Sequence, residues 1–280
     1  MTPLSRLAQS IALTGFLTAC ATPVEHTRTI DVATTTSVQN SGLLEALLPH
    51  FSGSTVRVHA AGSGRALEML KDGIVDLVIS HAPETEAKYV AEHPDWRYQK
   101  LAFNRFIVVG PPDDRAHVKG ATDVRDAFRR IAAAPVNFVS RGDSSGTHER
   151  EQKLWKLAGT MPASGHLLTS GQSMANTLRQ SDEKQAYTLS DEATFWQLQR
   201  QIDLVALSEG DDLLLNTYAV IYPRGVETAA TFAEWLTSGD GRQRIERHLI
   251  EGRVAFHVWP DGCPGSTPTA TPCLFTPRTP

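Results

Sequence analysis

The chain has 280 residues, 41% hydrophobic and 21% charged, enough for one large domain or two moderate ones with buried cores. Its formal net charge of −4 gives no basic surface for nucleic acid, so a bound anion would have to be held by local geometry instead of a global field. No histidine stands at ligand spacing from Cys263 or Cys273, and no metal site is expected.

Arg6 and the apolar run LAQSIALTGFL precede Leu17-Thr18-Ala19-Cys20. The run is too short to span a bilayer and reads as a secretory signal over residues 1–20, with a linker over 21–28. The LTAC stretch resembles a bacterial lipobox, in which a lipidated Cys20 would tether a soluble domain in the periplasm or cell envelope; a plain signal peptide is the alternative. Cys263 and Cys273 sit in a tail (259–280) rich in Pro, Gly, Ser and Thr, and an exported protein is expected to join them in a disulfide.

TIDVA (29–33) reads as a buried strand and TTTS (34–37) as a turn. SGLLEALLPHF (41–51) reads as a helix with Leu43, Leu44, Leu47 and Leu48 on one face. A second strand (54–61), a tight GSG turn (62–64), a helix closed by Gly73 and a third strand (75–83) follow. That alternation predicts a parallel sheet covered by helices. Beyond it come a strand over 103–114, a helix over 121–134, a strand over 136–140 and a helix from Glu149 to Gly159. Helices over 171–184 and 190–199 flank the short apolar stretch AYTL. Two strands within 204–223 and terminal helices within 230–248 complete the fold.

Three loops, TTTS, GSG and RGDSSGT (141–147), each follow a strand and precede a helix. Ligands of open α/β sheets bind at that edge, where helix N-termini offer unpaired N–H groups to anions. Small residues let an anion approach the backbone, hydroxyls add donors, and Arg141 supplies a planar cation for paired hydrogen bonds. His148, Glu149 and Glu151 suit the positive end of the following helix, and Trp155, Trp196 and Trp235 read as packing residues.

These segments, with GQSMANTL, AYTLSD and EGDDLLLNTYAVI, resemble the tungstate-binding proteins of tungstate ABC importers over residues 29–248. The family is similar to molybdate and phosphate binders. The resemblance implies an α/β, two-lobed periplasmic-binding-protein-like (type 2) fold, each lobe a mixed sheet flanked by helices. Lobe 1 would take 29–110 and 216–258, and lobe 2 would take 111–215, with crossings near 107–112 and 213–220. Carried over by position, it implies ligand contacts from Thr35, Thr36, Ser37, Ser63, Arg141, Ser145, Gly146 and Thr147. Ser144 stands where an acidic residue is common. The implied ligand is tungstate, with molybdate, sulfate or phosphate as alternatives. The implied partners are an ABC permease and its ATPase, with no cofactor, no catalysis and a monomeric state.

Phosphate binders resemble one another in a Ser-Asp-Ala-Pro stretch whose aspartate accepts the phosphate proton; here the chain reads Ser80-His81-Ala82-Pro83. A donor at His81 suits a fully deprotonated anion, from beside the ligand contacts, and Asp143 is expected to orient Arg141 or bond its own turn. Gly142-Asp143-Ser144-Ser145-Gly146 also satisfies the nucleophile-elbow pattern of a serine esterase, with Asp191 or Asp211 and His248 or His257 as partners. That reading leaves TTTS and GSG without a role. The RGD triplet at 141–143 is a chance adhesion motif if Arg141 is committed inside.

Overall fold

Residues 28–273 are described by the structure, a computed structural model. The signal segment 1–20 with Cys20, the linker up to residue 27 and the tail beyond Cys273 lie outside the described residues.

Strand pairing begins as expected. β1 (Thr29–Thr34) lies between β2 (Thr55–Ala60) and β3 (Leu77–Ser80), parallel to both. The crossovers are α1 (Thr36–Asn40), α2 (Leu43–Leu47) with a 3-10 turn to His50, and α3 (Ser63–Lys71). The helix α4 (Pro83–Glu92), not anticipated from the sequence, leads into β4 (Trp96–Gly110). β4 starts at Trp96 instead of Phe103 because inward Trp96, Tyr98 and Lys100 alternate with exposed Arg97 and Gln99. Lys100 hides that pattern by being polar. Its Nζ donates to Thr217 Oγ1 at 2.7 Å, and burial pulls its pKa down to about 8.

The remaining elements are α5 (Val124–Ala133), β5 (Phe138–Ser140), α6 (Gly146–Ala158), β6 (Leu167–Thr169), α7 (Met174–Glu183), β7 (Thr188–Asp191) and α8 (Glu192–Leu198). They are followed by β8 (Val205–Ser208), β9 (Leu215–Pro223), α9 (Glu227–Thr237), α10 (Asp240–Glu246), β10 (Leu249–Ile250), β11 (Arg253–Val254) and β12 (His257–Val258). From Trp96 to Arg105 β4 pairs antiparallel with β9, and from Phe106 onward with β7 and β8. One strand thus belongs to two sheets. The first has the order β2-β1-β3-β9-β4-β12. In the second, β5 pairs parallel with β6 and bridges to Tyr187 beside β7.

Period-two alternation carries the core on both faces of each sheet. Ile30, Val32, Leu77, Ile79 and Val220 pack under α2, α9 and α10, while Ala33, Val78 and Ile221 pack against α3. Along β4, Phe106 and Val108 join α5 and α6, and Ile107 and Val109 join α7 and α8. Trp155 is buried among Phe128 and Phe138, with ring centroids 4.3 and 5.0 Å away; Trp196 and Trp235 lie partly buried against the first core. All three tryptophans are packing residues.

The tail enters the fold further than its composition suggests. β12 pairs with the edge of β4, Trp259 N donates to Leu101 O, and Lys100 N donates to Gly265 O at 2.7 Å. Trp259 packs on Phe103 and Cys263, and Cys263 is bonded to Cys273 with Cα atoms 5.5 Å apart. The segment covers an otherwise bare strand edge, and the bond closes its last loop. Cys263→Ser is expected to cost about 1–3 kcal/mol of stability by relaxing that loop in the unfolded chain, measured by urea unfolding of the oxidised protein.

Candidate functional site: a polar anion cradle between the lobes

The register of the parallel strands puts the loops together. Thr34 lies opposite Ala60 on one side and Ile79 on the other, so the loops after β1, β2 and β3 leave one edge of the first sheet. In the second sheet Ser140 lies opposite Thr169, which joins the loops after β5 and β6. Ser170 N donates to Ser140 O and Gly171 N to Arg141 O, both at 2.9 Å.

The two edges face each other at glycines. A Cβ added at Gly62 would lie 3.6 Å from Asp143 O, and one at Gly64 would lie 3.6 Å from Ser144 O. At Gly146 it would lie 2.4 Å from His81 O and 2.8 Å from His81 Cγ, so only glycine lets α6 begin against the loop after β3. The structure therefore brings together the GSG, SHAP and RGDSSGT loops, with the loop after β6 beside Arg141. α1, which starts inside TTTS, packs against α7 and α8 of the second lobe. The expected TTTS turn is thus a helix start, with Thr35 as its N-cap.

Hydroxyls at this junction accept backbone N–H groups, Thr35 and Ser145 as helix caps, and keep a proton to give. Thr35 Oγ1 accepts from Val38 N, Ser145 Oγ from His148 N and Ser63 Oγ from His81 N. A hydroxyl that accepts in this way still has its own O–H to donate. Thr35, Ser37, Ser63, Ser145, Gly146 and Thr147 are buried, and Thr36 is half-buried. Thr147 Oγ1 and Arg141 Nε are buried with no hydrogen-bond partner among the described residues.

Arg141 is 2% exposed and pairs through Nη2 with Asp143 Oδ2. Asp143 Oδ1 accepts Ser145 N at 3.2 Å, so this aspartate both orients the guanidinium and shapes its own turn. Behind the loop, Glu151 Oε2 accepts Arg141 N at 3.0 Å. Burial raises the Glu151 pKa to about 7, against hydrogen bonds from Ser140 and Arg141 N. Glu151 is therefore an anchor for Arg141, and the dipole role expected from its position is a correction. Glu149 is also re-placed: its carboxylate reaches α4. Neither role has a sequence signal, because both partners are distant in the chain.

His81 is stacked on Tyr218 at 5.1 Å and bonds Asn216 Oδ1 through Nδ1 at 2.9 Å. Asn216 Nδ2 donates to Asn104 Oδ1 and Tyr218 OH, leaving Oδ1 to accept only. The proton of neutral His81 therefore sits on Nδ1, and Nε2 keeps a lone pair. The donor expected at His81 is thus spent on Asn216. Asn104 and Asn216 are cross-strand partners on β4 and β9, next to where β4 changes sheets.

The esterase partners are engaged elsewhere. Asp191 accepts from Thr194 N and Oγ1, Asp211 from Val124 N and Leu213 N, and His248 Nε2 bonds Ser41 O. His257 stacks on Phe103. Ser144 is exposed at φ 57°, and its N–H donates to His148 Nδ1. Among the described residues no group of three or more His, Cys, Asp or Glu side chains gathers as a metal site, and no helix is long and apolar enough to cross a membrane.

Residues 21–240 match the family model for the PBP superfamily domain. The chain belongs to that superfamily. Its relatives include the tungstate-binding protein TupA of Peptoclostridium acidaminophilum, 34% identical over 95% of this chain and 98% of that protein. Two solved structures are similar over most of the chain. The tungstate ABC transporter protein of Geobacter sulfurreducens has a TM-score of 0.70 at 34% identity, covering 77% of this chain and 97% of that one. The tungstate-binding protein TupA of Desulfovibrio alaskensis G20 has a TM-score of 0.71 at 33% identity, covering 82% and 98%. The two-lobed α/β superfamily fold that the resemblance implied is the one found.

Burial holds His81 below its ordinary pKa of 6.5, with opposing contributions from the Asn216 bond and Asp191. A depressed value means that the unfolded chain takes up this proton first, so stability is intact above 6.5 and falls as pH drops through it. Urea unfolding between pH 8 and pH 5 is expected to show a smaller acid loss in His81→Gln than in the wild type; coincident profiles would contradict the buried neutral ring.

Proposed function

We propose that this protein is the solute-binding receptor of an ABC importer and that it captures a tetrahedral oxyanion, tungstate, between its lobes. The observation that carries this reading is Arg141, a buried guanidinium with one arm on Asp143 and Nε without a partner among the described residues, in the same loop as Thr147 Oγ1, which also has none there. An anion leaving water loses its hydration, so its oxygens must be met by donors inside the site. Thr35, Thr36, Ser37, Ser63, Ser145 and Thr147 supply hydroxyls, Gly146 and its neighbours supply N–H groups at the start of α6, and Arg141 supplies charge. The names of the relatives support tungstate among the oxyanions.

On this reading lobe 1 comprises 29–110 and 216–258, lobe 2 comprises 111–215, and the lobes close by bending where β4 passes from one sheet to the other and where the chain returns just before β9. The closed receptor, a monomer held at the membrane by Cys20, docks on a permease driven by an ATPase and does no chemistry itself. The acceptor at His81 Nε2 gives it no attraction of its own for a deprotonated oxygen. It acts through the Asn216 network, from behind the contacts.

Calorimetric titration with tungstate, molybdate, sulfate and phosphate tests the reading, with tungstate expected to bind tightest. Arg141→Ala is expected to weaken tungstate binding by about 2–5 kcal/mol, because the anion loses its guanidinium and the Asp143 carboxylate, without its ion partner, repels it. Near-wild-type affinity in that variant would defeat the assignment.

A further inference from the structure

α4 meets only part of its own N-terminus. Ala82, at the N-cap, has no side-chain acceptor and its N–H donates to Glu86 Oε1 at 2.9 Å, while Pro83 at the first helical position carries no N–H. The exposed donors are Glu84 N and Thr85 N. They are met by a residue of the other lobe. Glu149 Oε1 accepts Glu84 N at 2.9 Å, and Oε2 accepts Thr85 N at 2.8 Å and Thr85 Oγ1 at 2.6 Å. One helical turn further along α6, Lys153 Nζ lies 2.8 Å from Glu84 Oε1. α4 packs with α3 in the first lobe, through Tyr89 and Val90, whereas α6 is built into the second core through Leu154 and Trp155.

We infer that Glu149, aided by Lys153, latches the two lobes shut over the anion and sets how long it stays bound. The inference rests on the receptor reading and deepens it. Glu149 follows Thr147 by two positions on α6, and α4 begins just after His81, so the latch joins the two elements that meet at Gly146. A carboxylate capping a helix N-terminus gains from charge-assisted N–H bonds and from the helix dipole. In this fold that gain is realised only when the lobes are together. When they part, the α4 donors and the carboxylate both return to water, which leaves each lobe's own stability untouched. Such a contact slows dissociation without assisting encounter.

Stopped-flow tungstate binding, read by intrinsic tryptophan fluorescence, tests the latch in the full chain. Glu149→Ala is expected to speed tungstate release roughly tenfold or more while association changes little. Lys153→Met, which removes only the ion pair, is expected to speed release about two- to fivefold, since half-exposed pairs contribute less. The melting temperature of the ligand-free variants is expected to match the wild type, with the loss confined to the tungstate-bound form. Release at the wild-type rate in Glu149→Ala overturns the latch, as does an equal melting loss with and without tungstate, which would mark a purely structural cap. Calorimetric titration of the wild type separates this from the receptor reading: a wild type that binds no tungstate overturns that reading, whereas tungstate binding by both proteins with an unchanged release rate in Glu149→Ala overturns the latch alone.

Discussion

A guanidinium removed from water has to be neutralised and hydrogen-bonded, and Arg141 finds only part of that among the described residues. Asp143 takes one arm, Glu151 holds the backbone N–H, and Nε is buried with no acceptor among the described residues. Everything around the residue follows from keeping it there. β5 and β6 bring their loops to one edge, Gly171 N holds the Arg141 carbonyl, and α6 starts immediately beyond the turn that Asp143 shapes. A site of this kind suits an anion that brings its own acceptors and no proton to share.

The rest of the cradle is a consequence of helix ends. Strand register aligns three loops on one lobe, and each helix that follows needs a cap at its N-terminus. Thr35 and Ser145 cap α1 and α6 as acceptors and keep a proton to donate, whereas α3 and α4 start at Gly62 and Ala82 with no capping side chain at that position. Gly146 allows the lobes to touch, because a side chain there would overlap the His81 carbonyl. At Thr35 and Ser145 local capping and donor supply are thus one set of atoms used twice.

Behind the cleft, two buried asparagines tie β4 to β9 where β4 changes sheets, and Asn216 passes that bond to His81. The strand that carries the chain between lobes is therefore hydrogen-bonded to the loop that touches α6. Burying such a network is favourable only when each member is satisfied. Asn104 Nδ2 accordingly finds the Ala255 carbonyl, and Tyr218 OH receives Asn216.

The alternation of apolar residues in 29–83, the capping hydroxyls and the lone arginine among glycines were legible in the sequence because each depends on near neighbours in the chain. They determine the strand–helix order of the first lobe and the donor chemistry of its loops. α4 is not legible in the sequence because two of its first-turn N–H groups are met from the far side of the cleft. The start of β4 was hidden by Lys100, a charged residue buried through a bond to distant Thr217. Glu149 and Glu151 read as ordinary acidic residues near a helix start, and only the folded chain separates a carboxylate that spans the lobes from one that anchors Arg141. The tautomer of His81 was likewise open until Asn216, far along the chain, was placed beside it. Composition and spacing determined what the loops can donate. Contacts between segments remote in sequence decided which groups are satisfied and which are left for a guest, because hydrogen-bond saturation is a property of the packed interior.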